Sequence, residues 1–436
     1  MAPEEMIFAA TSDVAGKLRG KAFPAADLSR RTRRGVGWAP TNVQITCFDA
    51  IAESPYGAVG EQMLVPDPAA EAVMPGPDGA PVRIMLGDIR ELDGAPWECC
   101  TRGILAAALA RLEAASGLTL TAAFEHEFHF RDRARPAGDA YTAAGYRVAH
   151  AFGADLMGAL RAAGMTPDSF MKEYGPGQYE VTVGAKPAAR AADEAALLRE
   201  ITAAVAENHG ERVSFTPLRH PDGVGNGVHI HMSLWTPDGA PATHDPGTES
   251  GLSPVAGAFA AGICRHMPAI VALTAPSVLS YTRLTPHRWS AAYNNLGRED
   301  REAGLRICPV TAADPVDIAR QFNIEYRAGD AAASPHLALA ALVHAGAQGI
   351  EEGLATPGVT AEDVSILPEA EIAARGLERL PETLEAALAR FAGDAAVPGW
   401  FAGRFAEVYR LHKEGEIAAL DGCDLLETCR RYEDVY

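Results

Sequence analysis

The sequence is short of three things, and each shortage excludes a class of protein. Basic residues are the first: 38 Lys and Arg stand against 57 Asp and Glu, a formal net charge of −19. Gripping nucleic acid takes clustered Lys and Arg, so nucleic acid is excluded as a main partner, although a locally basic pocket for an anionic ligand is not. Long apolar runs are the second. No uninterrupted one approaches the roughly 18 residues that span a bilayer, so no membrane association is expected. The third is paired cysteine. The seven cysteines are odd in number and contain no Cys-x-x-Cys spacing, which fits free thiols in a reducing compartment. The opening Met1-Ala-Pro-Glu-Glu5 also lacks the basic and apolar run of a secretory signal. A cytoplasmic protein is expected.

What is present reads as two domains, as 436 residues suggest. Residues 1–93 form a strand-dominated α+β unit. A turn from Asp13 leads into a strand stopped by Pro24, and residues 42–48 alternate like a strand. Residues 66–81, with Pro66, Pro68, Pro75, Pro77 and Pro81, read as a loop, and 83–91 as a strand closed by Asp93-Gly94. From Pro96 the texture becomes rich in Ala and Leu. Helical spacing runs over 101–116 with Gly117 as a stop, then over 146–163, 188–208, 255–273, 335–352 and 380–392, with a kink expected at Pro268. Strands are expected over 124–130, 179–183, 212–216 and 228–234. Without a regular βαβ beat, residues 94–436 predict an antiparallel sheet packed by helices.

The chemistry centres on Phe124-Glu-His-Glu-Phe-His-Phe130. Period-two alternation puts Glu125 and Glu127 on one strand face, about 7 Å apart. Neighbouring buried carboxylates repel unless a cation lies between them, and hard oxygen ligands suit Mg²⁺ or Mn²⁺. Four more stretches put polar groups where a strand should be apolar. Glu173 and Glu180 flank a Gly-Pro-Gly bend that can fold both carboxylates to one place. A glycine-rich bend from Gly225 leads to His229, His231 and Ser233, offering a metal ligand and a phosphate partner together. Arg283, Arg298, Arg301 and Arg306 are spaced along a loop where guanidinium forks can hold carboxylate or phosphate oxygens. Glu325 and Arg327 share a strand face before Asp330. Each stretch alone is compatible with an exposed turn, a core histidine or surface arginines. Together they suit two metal ions, ATP phosphates and a carboxylate being activated.

On these residues the chain resembles the glutamine synthetase superfamily of the type I-like kind. The resemblance rests on Phe124–Phe128, Glu173–Glu180, Gly225–Ser233, Tyr281-Thr-Arg-Leu-Thr-Pro286 and Glu325–Asp330, followed by Ser334-Pro335-His336, in the family's order and spacing. It implies an N-terminal β-grasp domain (1–93) and a catalytic domain (94–436) whose antiparallel strands form a half barrel. It also implies a homo-oligomer, a dodecamer of two stacked hexameric rings with active sites between subunits. The resemblance gives one ion to Glu127, Glu173 and Glu180 and another, between the ATP phosphates, to Glu125, His229 and Glu325, with Mg²⁺ or Mn²⁺ at two or more ions per site. His231, Arg301 and Arg306 would contact phosphates, and Ser233 would lie near the nucleotide base. Arg283 and Arg327 would hold the glutamate carboxylate and the transferring phosphoryl group, and Gly225 would line the glutamate pocket.

Two departures bear on the nucleophile. The family places a flap glutamate six residues after the arginine matching Arg283, where it helps bind and deprotonate ammonium; here that position is Trp289. An indole takes up no proton, but it can line an apolar pocket or face a cationic amine. The N-terminal segment that supplies an aspartate to the neighbouring subunit's ammonium site aligns with residues 35–42, which put Ala39 there. Asn323 stands where the family often has another phosphate-side arginine. The resemblance therefore implies an ATP-dependent ligase that joins glutamate to an organic amine through γ-glutamyl phosphate. The alternatives are an ammonia-using glutamine synthetase that tolerates Trp289 and a non-catalytic structural relative.

Overall fold

The computed structural model describes residues 4–77, 79–131 and 138–436; the first three residues of the opening segment lie outside them. Strands β1 (Met6–Ser12) and β2 (Leu18–Pro24) form the expected hairpin. Helix α1 (Leu28–Arg34), β3 (Val36–Trp38), β4 (Gln62–Pro75) and β5 (Pro81–Arg90) complete a five-stranded sheet of order β2-β1-β5-β4-β3. β1 and β5 run parallel at its centre and the other pairs are antiparallel, which gives the β-grasp domain.

Two local readings are corrected here. Residues 66–81 are largely strand, because the ladder between β4 and β5 shifts register between Pro66 and Glu71. Pro68 falls inside that irregularity, where its missing N–H removes no ladder bond. The 42–48 alternation is instead a tight 3₁₀ turn over Pro40–Gln44, started by Pro40 and anchored by Gln44, whose amide donates to the Val408 carbonyl.

The second domain begins with α2 (Thr101–Ser116), which ends where Gly117 takes a left-handed conformation. Then come β6 (Thr119–Phe130), α3 (Ala143–Val148), α4 (His150–Ala162), β7 (Pro167–Lys172), β8 (Gln178–Val183), β9 (Lys186–Pro187) and α5 (Ala188–Asn208). The helix expected over 146–163 is thus two helices, broken at Ala149. The strand expected over 212–216 shrinks to β10 (Val213–Ser214). β11 (Val228–Trp235), α6 (Pro254–Thr274), α7 (Ser280–Arg283), β12 (Tyr293–Arg298), β13 (Ala303–Ile307), α8 (Pro315–Gln321), β14 (Ile324–Tyr326), α9 (Pro335–Glu351) and β15 (Val359–Thr360) follow.

The second sheet runs β15-β12-β13-β14-β11-β6-β8-β7, with β9 and β10 pairing to β6. It is antiparallel except where β12 pairs with β13 and β15 at one edge. Helices α6 and α9 pack closely: a side chain at Gly262 would sit 2.0 Å from the Ala345 carbonyl oxygen, and one at Gly349 2.1 Å from that of Ala258. Pro268 lies inside α6 without ending it. By length and composition α6 could cross a membrane, but it is mostly buried within the protein.

β6 is the strand that positions the site. Phe124, Phe128 and Phe130 are fully buried on the helix side, and the last two pack on Phe152 with ring centroids 6.0 and 4.8 Å away. That anchoring turns Glu125 and Glu127 to the opposite face. The C-terminal segment adds α10 (Glu369–Ala374), α11 (Leu384–Gly393), α12 (Phe405–Ala418) and α13 (Leu425–Glu433), of which only α11 was expected.

Candidate functional site

Strand register brings the acids and histidines together. Glu125 faces His229 on β11 and Thr182 on β8, Glu127 faces Glu180, and His231 faces Glu325 on β14. His229 Nδ1 lies 3.4 Å from Glu125 and 3.5 Å from Glu325, and His231 Nε2 lies 3.1 Å from Glu125. Ligand atoms of Glu125, Glu180 and His229 fall within 4.8 Å of one another, as do those of Glu125, His231 and Glu325. Glu125 belongs to both groups. Glu127 and Glu173 border the cluster: Glu127 accepts from Gly227 N (2.7 Å), and Glu173 from the Tyr141 hydroxyl (2.9 Å) and Tyr174 N (2.8 Å).

The electrostatics follow from this crowding. Burial first, and then the charges of Glu125, Glu127, Glu173 and Glu325, push the Glu180 carboxyl up to about 9. Burial raises Glu127 as well. Burial also opposes ionisation of Glu125, but hydrogen bonds from His229 and His231 outweigh it and hold that carboxyl well below its usual range. Glu325 is lowered to about 2, since His229, Arg327 and His231 outweigh the same burial. For His231, contacts with Cys308 and Glu125 overcome burial and raise its pKa well above the ordinary value. A site that forces a carboxyl to keep its proton has room for more positive charge than its own residues provide. Five carboxylates with imidazole suit hard divalent cations such as Mg²⁺ or Mn²⁺, so the residues present fit them.

The cationic wall lies beside the acids. Arg306 donates to Glu325 at 3.0 Å, and Arg327 donates to the other oxygen of the same carboxylate and to the Arg301 carbonyl. Arg306 therefore projects from strand β13 and not from a loop. The Arg301 side chain is exposed, and its backbone carbonyl accepts the Arg327 bond to the cluster. Arg283 is buried, donating to Ser290 Oγ (3.1 Å) and to the Gly329 carbonyl (2.8 Å). A side chain at Gly225 would meet Arg283 at 2.5 Å, which explains glycine there. Ser233 Oγ accepts from the Trp235 indole at 2.8 Å. Trp289 is exposed and stacks on Tyr174.

Several site residues escaped the sequence reading. Gln178 donates to the Gly225 carbonyl and Asn226 Oδ1, tying the bend before β8 to the bend before β11. It lies inside the stretch singled out for its acids, directly after the Gly175-Pro-Gly177 bend, and that position was the available signal. Tyr141 comes from a turn with no motif around it. Asn323, which matched the family only as a departure, accepts from His231 Nδ1 through its Oδ1 at 2.9 Å. Cys308 Sγ lies 3.5 Å from the same nitrogen.

Residues 98–423 match the family model for the glutamine synthetase catalytic domain, and residues 1–97 match that for the glutamine synthetase N-terminal domain. A gamma-glutamylpolyamine synthetase of Streptomyces coelicolor is 36% identical over 427 residues, covering 94% of this chain and 89% of that protein. A glutamine synthetase of Thermococcus kodakarensis is 30% identical over 395 residues, covering 89% of this chain and 84% of its own. Among solved structures, a novel glutamine synthase homolog has a TM-score of 0.91 at 39% identity, covering 100% of this chain and 99% of that one. A complex of GmaS with ADP has a TM-score of 0.81 at 27% identity, covering 98% of this chain and 96% of its own.

Proposed function

The chain belongs to the glutamine synthetase family, and on that premise we propose that it is an ATP-dependent ligase joining the γ-carboxylate of glutamate to an organic amine. The observation that carries this reading is the clustering of Glu125, Glu180, His229, His231 and Glu325, bordered by Glu127 and Glu173, in a chain whose flap position for the ammonium-binding glutamate is Trp289. The polyamine-using relative supports an organic amine as nucleophile, and the ADP-bound structural neighbour supports a nucleoside triphosphate as phosphoryl donor.

Glu127, Glu173 and Glu180 would hold one divalent ion, and Glu125, His229 and Glu325 another. Bound cations would neutralise charge as phosphoryl and carboxylate oxygens approach. Arg306, Arg301 and His231 would orient the ATP phosphates, and Ser233 would lie toward the base. Arg283 and Arg327 would hold glutamate and the moving phosphoryl group, with the Gly225 backbone against glutamate. A carboxylate is a poor electrophile because its leaving group is oxide. Transfer of the γ-phosphoryl forms a carboxylate O–P bond as the bond from that phosphorus to ADP breaks. The amine nitrogen then bonds to the acyl carbon, the C–O bond to phosphate breaks, and the nitrogen gives its proton to the site. Water must be excluded, because it would hydrolyse the acyl phosphate. Family kinship also supports a homo-oligomer of two stacked hexameric rings with sites between subunits.

The test is product identification. Glutamate, ATP, Mg²⁺ and an organic amine should yield ADP, phosphate and the γ-glutamylamide by mass spectrometry. No amide and no phosphate from any amine, ammonium included, would leave the structural-protein alternative standing. The ammonia-using alternative has support in the T. kodakarensis relative, and against it stand Trp289 and Ala39.

A further inference from the structure

Two large aromatic side chains at the rim of the site have no part in the ligand set. Tyr174 is 62% exposed and Trp289 60%, yet their rings stack with centroids 6.5 Å apart and planes at 20°. Both are held from behind. Tyr174 follows Glu173 directly and its backbone N–H donates to the Glu173 carboxylate at 2.8 Å. His287 and Trp289 adopt left-handed backbone conformations (φ 62° and 56°), which bulky residues rarely take. Glu302 holds them there: one oxygen accepts from His287 N and the other from Trp289 N, each at 2.9 Å. Arg283 secures the next residue through Ser290 Oγ. The flap is thus fixed by one carboxylate and one guanidinium so that an indole faces a phenol.

A rigid pair of aromatic faces is a poor receptor for ammonium, which is small and strongly hydrated. It suits a chain of methylenes, which loses water against the rings, and a cation within roughly 6 Å of both centroids. Beside the flap, a cavity of about 470 Å³ that includes His287 is lined by five acids, Glu299, Asp300, Glu302, Glu362 and Asp363, against one arginine, Arg298, with Arg375 paired to Glu362, so the balance of the lining favours positive charge.

We propose that Tyr174 and Trp289 form the recognition site for the body of the amine, selecting a diamine or polyamine with a positive charge at its far end. Glu302 is the positioning residue that presents Trp289. The assignment deepens the ligase reading and rests on it.

The test compares kcat/KM for 1,4-diaminobutane, n-butylamine and ammonium in wild type, Tyr174→Ala, Tyr174→Phe and Trp289→Ala. Wild type is expected to prefer 1,4-diaminobutane to n-butylamine by at least tenfold. Tyr174→Ala and Trp289→Ala should each raise KM for the diamine about tenfold with smaller changes in kcat, and Tyr174→Phe should stay within about threefold of wild type. Equal use of diamine and butylamine would overturn the far-end charge. A diamine KM unmoved by Tyr174→Ala, or raised equally by Tyr174→Phe, would overturn the aromatic site while the ligase reading stands. Trapping with hydroxylamine separates the two: no γ-glutamyl hydroxamate from wild type with ATP, glutamate and Mg²⁺ would overturn both.

Discussion

Glu127 stands directly opposite Glu180 across the antiparallel pair β6–β8, an arrangement in which like charges repel. Burial, Glu127 and three further carboxylates push the Glu180 carboxyl up to about 9, so its anionic form is disfavoured. A fold that keeps such a pair gains little from it without cations.

Metal dependence is therefore expected in stability as well as activity. Wild type should gain about 2.7 kcal/mol at a free Mg²⁺ or Mn²⁺ concentration near 100 times Kd. Glu180→Gln should melt no lower than wild type without metal, because it relieves repulsion, and should lose most of the metal-induced shift. An unchanged shift in the variant, read by thermal melts with and without metal, would remove Glu180 from the ligand set.

Trp289→Glu tests the nucleophile argument from the opposite direction. A restored carboxylate should raise kcat/KM for ammonium by about tenfold or more, equivalent to ~1.4 kcal/mol of transition-state binding, while lowering use of organic amines. Steady-state phosphate release gives both values. No change for ammonium would mean that the flap residue does not select the nucleophile.

Glu302→Ala should free the flap without unfolding the protein. Its two backbone acceptors are lost, so kcat and KM for the amine should shift together by about tenfold, as for other lid mutants, and Glu302→Gln should recover part of the loss. Stability should stay within about 1 kcal/mol by denaturant titration, since the clamp lies at the surface. Full activity in the alanine variant would show that the left-handed flap needs no anchor.

The strand that carries the site was legible because β6 alternates cleanly: Phe124, Phe128 and Phe130 must go one way, so Glu125 and Glu127 go the other. The candidate ligand residues on β8, β11 and β14 were legible because acids and histidines interrupt apolar strands. What the sequence hid depended on contacts from afar. Pro68 tolerates a strand only because the β4–β5 ladder is irregular there, and residues 40–44 turn because Gln44 reaches Val408 on α12. Tyr141 and Glu302 each act on a partner brought close by folding. The Tyr174–Trp289 stack joins the tyrosine after Glu173 to a flap indole, and no local pattern links them.

His344 gives a pH dependence away from the site. Buried on α9 against Trp400, with Arg111 nearby, its imidazole is lowered to about 4, first by burial and then by the Arg111 charge. The unfolded chain takes the proton near pH 6.5 and the native state resists it. Stability should therefore fall as pH drops from about 6.5 toward 4, by up to ~3 kcal/mol from this residue. Denaturant melts across that range should show a shallower slope for His344→Phe; an identical slope would contradict the assignment.

Lys413 and Glu416 form an ion pair at 2.8 Å with both side chains wholly buried, and the Tyr432 hydroxyl donates to the same glutamate. Lys413→Met strands a buried carboxylate and should cost about 3–5 kcal/mol, whereas Lys413→Met combined with Glu416→Leu should recover most of that loss. Urea titration distinguishes the two, and a single variant as stable as wild type would show that water reaches the glutamate.

The most direct test of the account is the ratio of specificity constants for an organic amine and for ammonium, measured by glutamate-dependent phosphate release under saturating ATP and Mg²⁺. The account predicts that at least one organic amine exceeds ammonium by tenfold or more. A higher constant for ammonium than for every organic amine tried would contradict it and return the chain to glutamine synthesis.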